Sequence, residues 1–381
     1  MTGLHTLLAT EFDTTLRWLL EQPGPVRDDE TGAWFVGRHA QVRAALTDTR
    51  FLGRSTEHAT AGFDDAQRAT VSELEDHLSR WLVFSDAPAQ DLLREKLRRA
   101  MRGSARAAEL PARFAALAGA AAGTVGADLF SGFVVPYTSA AVMTVLGAPA
   151  EDAERVTGWG VDVLGYLGMG RFDAGVVDRA RAGLRGLTEY CLGDYRRTAS
   201  GLLAEVVRTG ADDADLVAVF TQVLTGALEP TRTVLAEALA TVADPGALSG
   251  FRAAPSVFTD EMVRLCSPFH FASRRASVEI ELGGQVIGGG DRVRLVLPAA
   301  NRDPQVFPVP ERVDIGRAPR RHVAFGWGKH VCTGAWLAEQ ITVAGVEAMT
   351  DPSRGLPAQL HCDRVRTPGM TVATGLRPAS N

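Results

Sequence analysis

The chain is poor in lysine and carries no excess of positive charge. Lys96 and Lys329 are the only lysines among 40 basic residues, and 45 acidic residues give a formal net charge of −5. This balance gives no sign of a protein that binds polyanions, so we expect no nucleic-acid partner. The bias toward arginine, together with abundant alanine and glycine, is attributed to a GC-rich genome rather than to a function.

Long apolar runs and paired cysteines are also missing. No stretch of 18 apolar residues occurs, so no helix is expected to span a membrane. The N-terminal residues include Glu11 and Asp13 and lack the basic, apolar and small-residue order of a signal peptide. The four cysteines lie far apart and form no C-x-x-C pair: Cys191, Cys266, Cys332 and Cys362. We therefore expect a cytoplasmic protein without a disulfide framework.

The periodicity of apolar residues predicts a mostly helical chain. Over residues 213–242 apolar side chains recur at i, i+3, i+4 and i+7, and Pro230 does not interrupt them. A helix of that length would extend about 45 Å, enough to cross a domain. After Pro268 the pattern changes to alternation, in 278–282 and again in 293–297, which predicts short antiparallel strands. The predicted fold class is therefore mainly α with a small antiparallel β region.

One short segment carries most of the chemical information. Residues 325–334 read F-G-W-G-K-H-V-C-T-G, which places three glycines around Cys332 directly before a predicted helix. Glycine lets the backbone approach a flat ligand closely and adopt a positive φ. The N–H groups and the dipole at a helix N-terminus favour a thiolate, which is a soft metal ligand. A lone cysteine in a glycine turn is more often a buried structural residue, so these features alone leave both interpretations open.

This segment resembles the haem-binding loop of the cytochrome P450 family, whose pattern F-G-x-G-x-H/R-x-C-x-G it matches at every fixed position. The resemblance extends from about Trp34 to the C-terminus. It implies a single cytochrome P450-like catalytic domain over residues 1–381, with haem b between the long central helix and the cysteine-bearing loop. Cys332 would then be the axial thiolate ligand of the haem iron, and His330 would contact a haem propionate. Such a thiolate pushes electron density onto the iron.

Three further segments resemble structural elements of that family. Glu261 and Arg264 match its E-x-x-R pair, which is usually completed by a downstream arginine, and Arg312 is the best candidate for that third member. We interpret this triad as a scaffold for the cysteine loop, although the pair alone would also fit an ordinary i, i+3 ion pair. The segment 301–304 (N-R-D-P) matches a family segment with an expected structural role.

Two arginines resemble residues that bind haem propionates. Arg274 begins a match to the family's R-x-A, and the planar guanidinium is suited to a carboxylate. Arg94 lies on a basic helix predicted from Pro88 onward, which is similar to the family's D-x-P-x-H-x-x-x-R. Gln90 replaces the usual histidine of that pattern, and an amide carries no charge.

The long helix departs from the family pattern A-G-x-D/E-T-T. Glu229 keeps the acid, but Pro230 occupies the position of the alcohol and Thr231 follows it. A helical proline lacks an N–H group and its ring clashes with the carbonyl at i−4, so we expect a kink without a hydroxyl. Either Thr231 or water relays protons instead, or the oxygen chemistry is altered. Fatty-acid peroxygenases of the wider family also carry a proline here but with an arginine before it, so Glu229 argues against that group.

The resemblance implies a soluble, bacterial-type haem-thiolate monooxygenase that oxidises a small, largely apolar molecule, in specialised metabolism. It also implies dioxygen as the oxidant and a ferredoxin and its reductase as the source of electrons from NAD(P)H. The catalytic residues would be those at and beside the acid and alcohol positions of the motif: Glu229, Pro230 and Thr231. Four cationic residues would form either a face for an acidic ferredoxin or a solvated surface: Arg98, Arg99, Arg102 and Lys329. Substrate-pocket candidates on the long helix are Leu224, Ala227 and Leu228. Weaker candidates, which core packing would also explain, are Phe269, Phe271, Met370 and Val372.

Two alternatives stay open at this stage. Pro230 motivates a peroxide-using enzyme, or one that couples, rearranges or cyclises its substrate without inserting oxygen. A catalytically inactive family member that recruits another enzyme is a remote alternative, since such members typically lose the cysteine loop.

Overall fold

The computed structural model of the protein describes residues 2–53, 63–103, 105–123, 128–167, 172–195, 204, 206, 212–317, 322–354 and 356–379. The α-helices in these ranges are α1 Leu4–Thr10, α2 Phe12–Glu21, α3 His39–Thr47, α4 Asp65–Ser79, α5 Ala89–Gly103, α6 Ala105–Ala122, α7 Val135–Leu146, α8 Ala153–Leu167, α9 Ala174–Tyr190, α10 Asp213–Val242, α11 Pro245–Ala253, α12 Pro255–Cys266, α13 Leu297–Ala300 and α14 Ala335–Met349. The strands are β1 Val26–Arg27, β2 Trp34–Val36, β3 Phe51–Leu52, β4 Phe271–Ala276, β5 Ile280–Leu282, β6 Gln285–Ile287, β7 Arg292–Val296, β8 Leu360–Arg366 and β9 Thr371–Pro378. The mainly α prediction is confirmed.

The long predicted helix is α10, and its bounds are those expected from the sequence. Asp213 and Asp215 lie in its first turn, where carboxylates stabilise the positive end of the helix dipole. Pro230 lies inside the helix, and helical structure continues on both sides of it. The apolar stripe gives this helix enough buried surface to persist despite a residue that lacks an amide donor.

Contacts divide the chain into two compact units. Unit 1 comprises Met1–Gly53, Ala122–Val134 and Pro230–Asn381, and unit 2 comprises Arg54–Ala121 and Val135–Glu229. The expectation of a single catalytic domain over 1–381 stays a prediction. So does the placement of haem between the long helix and the cysteine loop.

Unit 1 is built on a five-stranded sheet in the order β1-β2-β7-β4-β3. β4 and β7 pair antiparallel, as do β5 with β6 and β8 with β9, which confirms the antiparallel expectation for most of the β region. β2 and β7 instead pair in parallel, with Trp34 beside Val293 and Val36 beside Leu295. Sequence alternation predicts strands but not their direction, and here two segments far apart in the chain run side by side.

Two apolar clusters cover this sheet. One contains Val36, Leu46, Val293 and Leu295, and Trp327 of the cysteine segment packs against it. The other joins α1 and α2 to the opposite residues of the strands, and it includes Leu8, Leu16, Phe35 and Val296. Alternate residues of one strand therefore belong to different clusters, and this alternation decides where the predicted site residues of β4 lie.

In unit 2, α8 and α9 form a closely packed helix pair. Trp159 of α8 lies over two glycines of α9, because a Cβ at Gly186 would lie 2.4 Å from its ring and one at Gly183 would lie 2.8 Å from its carbonyl oxygen. Small residues thus allow the large indole to fill the groove between the helices. The glycines at 168 and 170 predict a break in the helical pattern of this region, and they lie outside the described residues. None of the described helices is long and apolar enough to cross a membrane.

Candidate active site

The cysteine segment forms a tight loop that ends on α14. The amide of Cys332 donates to the carbonyl of Phe325 over 2.8 Å, which closes the loop on itself. Gly326 and Gly328 have φ values of +70° and +67°, a region that only glycine adopts without strain. Gly334 is the N-cap of α14, so Cys332 stands two residues before a helix N-terminus. The sequence therefore folds locally as the motif predicts.

α3 holds this loop from one side. A Cβ at Gly328 would lie 2.8 Å from the carbonyl oxygen of Leu46, so only glycine permits this approach. The guanidinium of Arg43 stacks on the ring of Trp327, 4.4 Å from its centroid, as a cation–π contact. Sequence reasoning did not identify Arg43, because a lone arginine on a helix carries no signal of its partner.

The thiol of Cys332 differs from the other three cysteines. Cys332 is exposed, whereas Cys191 and Cys362 are buried. Desolvation raises the pKa of the Cys191 and Cys266 thiols and raises the pKa of Cys362 to about 12. Those three groups are therefore held as neutral thiols, and Cys332 is the most exposed of the four cysteines, all of which lie in the described part of the chain.

Gly334 places no side chain beside that sulfur. A Cβ at Gly334 would lie 3.9 Å from Sγ of Cys332, so a side chain there would occupy the space beside the thiol. An accessible thiol between glycines that take up no such space is the donor arrangement that suits a thiolate-ligated haem. The residues present fit the cofactor that the motif implies.

A buried polar network connects α12 to this loop. Arg264 donates to both oxygens of Glu261 at 2.8 Å and, through Nη1, to the carbonyl of Asn301 at 2.7 Å. The Asn301 side chain accepts from the amide of Val323 at 2.7 Å, two residues before Phe325. The E-x-x-R pair therefore fixes the backbone that leads into the loop.

The third member of this network is Arg317, and the expectation of Arg312 is wrong. Nε of Arg317 lies 3.0 Å from Oε1 of Glu261, and both side chains are largely buried. Arg312 is exposed and pairs with Asp314 at 3.2 Å. Its backbone amide donates to the carbonyl of Val309, whose φ is +49°, and this turn directs the Arg312 carbonyl rather than its guanidinium toward the network.

Arg274 lies on the face of β4 that faces the apolar cluster against which Trp327 packs. It is buried and shares this face with Ala272 and Ala276, which both pack in the cluster that Trp327 joins. His330 lies in the short 3₁₀ turn Gly328–His330 and is half-buried. Arg274, His330 and Cys332 all belong to unit 1, and the expectation that both Arg274 and His330 contact haem propionates stays a prediction.

Phe271 packs on the side of β4 that faces α1 and α2, and its expected pocket role stays a prediction. Phe271 lies on the opposite face of β4 from Arg274 and packs with the cluster that contains α1 and α2. The guanidinium of Arg294 lies 4.4 Å from its ring centroid, and the ring of His5 lies 6.1 Å away. Phe269 is exposed and forms an isolated bridge with the buried Met370, and Val372 is half-buried. For these three residues a pocket role stays a prediction.

The middle of α10 has one open face. Leu224 and Leu228 are buried against α8, because a Cβ at Gly160 would lie 2.9 Å from the Leu224 side chain and 3.8 Å from that of Leu228. These two leucines pack in unit 2, and the expectation that they line the pocket stays a prediction. We call the residues left half-buried or exposed on the other side the open face of α10; they are Gln222, Val223, Gly226, Ala227 and Pro230.

The acid and the threonine flanking Pro230 point away from solvent. Glu229 is 8% exposed and Thr231 is 3% exposed, whereas Pro230 is half-buried. Of the sequence candidates on this helix, Ala227 and Pro230 share the open face. Gly226, which sequence reasoning used only to locate the motif, is the most accessible residue there.

The basic helix is α5 of unit 2. Arg94 is half-buried, and Gln90 is buried with Nε2 donating to the carbonyl of Leu82 at 3.3 Å. Arg98 is exposed and forms an ion pair with Glu95. The side chains of Arg99 and Arg102 lie outside the described residues, and Lys329 in the cysteine loop of unit 1 is exposed.

Comparison with known proteins identifies the family. A model of the family described as cytochrome P450 matches residues 257–345, which hold both the Glu261 network and the cysteine loop. Nocardicin C N-oxygenase from Nocardia uniformis is 30% identical over 83% of this chain and 81% of that protein. The chain belongs to the cytochrome P450 family. Membership makes it an oxidoreductase and implies a haem cofactor, as expected from the motif.

Other cytochrome P450 proteins resemble this one along nearly its whole length. Biflaviolin synthase from Streptomyces coelicolor is 28% identical over 96% of this chain and 92% of that protein. The structure of P450BioI in complex with an acyl carrier protein ligated to hexadec-9Z-enoic acid superposes with a TM-score of 0.82 and covers 98% of both chains. At 21% identity that structure supports the fold alone. The cytochrome P450 fold is confirmed.

Proposed function

We propose that this cytochrome P450 is a haem-thiolate monooxygenase that oxidises a small, largely apolar molecule in bacterial specialised metabolism. The observation that carries the proposal is the accessible thiol of Cys332 in its glycine loop, beside three thiols that are held neutral by desolvation. Relatives named as an N-oxygenase and a synthase of a specialised product support the reaction class.

Cys332 would hold the haem iron, and cationic residues would hold the haem propionates. Arg274 suits this role because it is fixed in β4, and a guanidinium can grip a carboxylate with two parallel hydrogen bonds. His330 is close in sequence to Cys332 and would donate a further hydrogen bond. The corresponding role of Arg94 rests on the family pattern. Bound in this way, haem supplies the redox chemistry with dioxygen, while the protein supplies ligation, orientation and a dry site.

Proton delivery is assigned to Glu229. Its carboxyl is the acid of the motif, and it can hold or pass a proton at its oxygen atoms. Pro230 offers no hydroxyl to continue the relay, so a water or Thr231 would have to take that place. Substrate would lie along the open face of α10, where Val223, Ala227 and Pro230 provide apolar contact.

Electrons would come from NAD(P)H through a ferredoxin and its reductase. Lys329 provides an exposed positive charge three residues from Cys332, and Val331 and Trp336 beside it are exposed apolar residues. A mixed charged and apolar surface of this kind suits brief docking of an acidic electron carrier.

Pro230 favours one second candidate, a peroxide-using P450 or an enzyme that couples, rearranges or cyclises its substrate. Without the alcohol of the motif, one proton donor for the reaction with dioxygen is missing. Hydrogen peroxide already carries its protons, so its use depends less on such a donor. Restoring the alcohol with Pro230→Thr should then leave the product unchanged or reduce activity. A severalfold increase in coupled hydroxylation in this variant would contradict the second candidate.

The deciding experiment compares electron sources on one compound. Compounds that shift the Soret band of the haem-loaded protein are first selected from a chemical panel. Product is then measured with a surrogate ferredoxin–reductase pair and NADPH, and separately with hydrogen peroxide alone. Product with added oxygen, formed mainly through the ferredoxin route, supports the monooxygenase. Product formed mainly with peroxide, or without added oxygen, supports the second candidate.

The non-catalytic recruitment module makes a different prediction. Such a protein would purify without haem even after expression with ample haem supply. The intact cysteine loop argues against it, so we expect one haem per chain by pyridine haemochrome assay.

A further inference from the structure

We propose that the backbone carbonyl of Gly226 is a hydrogen-bond acceptor for the substrate, and that it selects molecules carrying an N–H or O–H group. This inference rests on the proposed function, because it places the substrate along the open face of α10. It adds a polar requirement to a site whose other open residues include Val223, Ala227 and Pro230.

The first observation is the position of Pro230 in the helix. In an α-helix the carbonyl of residue i accepts from the amide of residue i+4, and for Gly226 that residue is Pro230. Proline has no N–H group, yet helical structure continues through this position. The regular donor for the Gly226 carbonyl is therefore missing by covalent structure, in the middle of a helix rather than at its end.

The second observation is the accessibility of Gly226 itself. It is exposed, and because glycine consists of backbone atoms only, the accessible surface is peptide surface. A Cβ built at this position would meet no atom within 4 Å. Two turns before, Val219 is buried, and two turns after, Thr233 is buried. The accessible peptide is confined to the turns around Gly226 and Pro230.

These two observations point to one ligand chemistry. A backbone carbonyl accepts hydrogen bonds and repels other acceptors, so neutral donors such as phenols, alcohols and amide or ring N–H groups fit it, whereas carboxylates do not. A ligand that covers the carbonyl without a donor leaves it desolvated and unsatisfied. Sites of this kind discriminate strongly against analogues that lack the donor. Gly226 is thus a specificity-determining residue rather than a catalytic one.

The test uses two probes that differ in one donor, 1-naphthol and 1-methoxynaphthalene. Their dissociation constants are measured by Soret titration of the haem-loaded protein and of Pro230→Ala, which restores an amide donor to Gly226. We expect the wild-type preference for naphthol to fall by about five- to tenfold in the variant, the range expected for one net hydrogen bond. Comparing ratios between the two proteins cancels the difference in size between the probes.

Two further variants make the result specific. Pro230→Val also restores the amide but keeps a bulky side chain, so it should lose the preference in the same way. Gly226→Ala keeps Pro230 and the carbonyl that lacks its helical donor, so both probes should weaken by a similar factor and the preference should persist. The thermal midpoint of Pro230→Ala should rise, because the helix regains a hydrogen bond and a better helix former.

Each failure has a separate meaning. An unchanged naphthol preference in Pro230→Ala and Pro230→Val, or no preference in the wild type, overturns the inference. Binding of neither probe also counts against it, because an open face on α10 should admit the naphthyl body. A protein that purifies without haem overturns the proposed function instead.

Discussion

The side chain of Arg317 donates from Nε to Oε1 of Glu261 over 3.0 Å, and both groups are largely removed from solvent. The same carboxylate accepts from Arg264 and, at 3.0 Å, from the backbone amide of Asp314. Glu261 is thus the point at which α12 holds the segment that precedes the cysteine loop. A carboxylate with this many charged and amide donors is stable in the interior only while the set is complete.

Removal of Arg317 should therefore destabilise the protein far more than removal of Arg312. We expect Arg317→Ala to lower the free energy of unfolding by about 2–4 kcal/mol, because a buried charge loses one of its partners. Arg312→Ala should change it by no more than about 0.5 kcal/mol, since its exposed pair with Asp314 is screened by water. Urea unfolding of both haem-loaded variants measures the difference. Equal losses in the two variants would show that Arg317 is not the third member of the network.

Cys332→Ala should abolish thiolate ligation of the haem. The reduced carbon monoxide spectrum typical of a thiolate-ligated haem should be absent, and haem content per chain should fall, since the other three cysteines, all in the described part of the chain, are held as neutral thiols by desolvation. Cys362→Ala is the matched control: its thiol is buried in β8, so stability should fall moderately while the spectrum is kept. A wild-type spectrum in Cys332→Ala would refute the assignment of the axial ligand.

Two glycines of α8 should respond differently to the same substitution. Gly158 is exposed with no atom near its Cβ position, so Gly158→Ala should stabilise the helix by about 1 kcal/mol. At Gly160 the new methyl would press on Leu224, so Gly160→Ala should be less stable than Gly158→Ala by about 1–3 kcal/mol. Thermal unfolding of the pair measures this difference. Equal stabilisation would mean that Leu224 does not pack on α8.

Stability should fall as the pH drops below neutrality, because of His77. Its Nε2 lies 2.7 Å from Oγ1 of Thr221, and burial, with a smaller contribution from Arg80, lowers its pKa from 6.5 to about 4. The unfolded chain therefore binds a proton near pH 6.5 that the folded chain does not accept until about pH 4. The stabilising contribution is complete above pH 6.5 and declines toward pH 4, by about 3 kcal/mol in total.

His77→Gln should show a shallower decline between pH 7 and pH 5 in thermal midpoint than the wild type. A remaining slope is expected from His270, since burial also lowers its pKa to about 4. His361→Gln, at an exposed position in β8, is the control and should retain the wild-type slope. If the slope of His77→Gln matched that of the wild type, His77 would not be the group that titrates.

The sequence was most informative where a pattern is local. The bounds of α10 follow from an apolar stripe that is long enough to decide them, and the cysteine loop follows from glycines required by backbone angles. The choice between Arg312 and Arg317 was not accessible, because it depends on a turn at Val309 that reverses the chain. The open face of α10 was missed for a related reason: hydrophobicity selected Leu224 and Leu228, which are buried by Gly160 far away in the sequence. Small residues such as Gly226 mark an accessible surface only once their neighbours are known.

The parallel pairing of β2 with β7 has a consequence for how the chain acquires its structure during synthesis. Trp34 pairs with Val293, and its indole N–H donates to Asp291, so the central strands of the sheet are joined across more than 250 residues. The whole of unit 2 lies between them in the sequence, so it leaves the ribosome after β2 and before β7. β2 can pair with β1 at once, but its other edge must wait until β7 has emerged, and contacts of such long range form slowly because a large loop must close. For this protein the early segment from α1 to β2 is the part most in need of protection from aggregation while the rest of the chain is made.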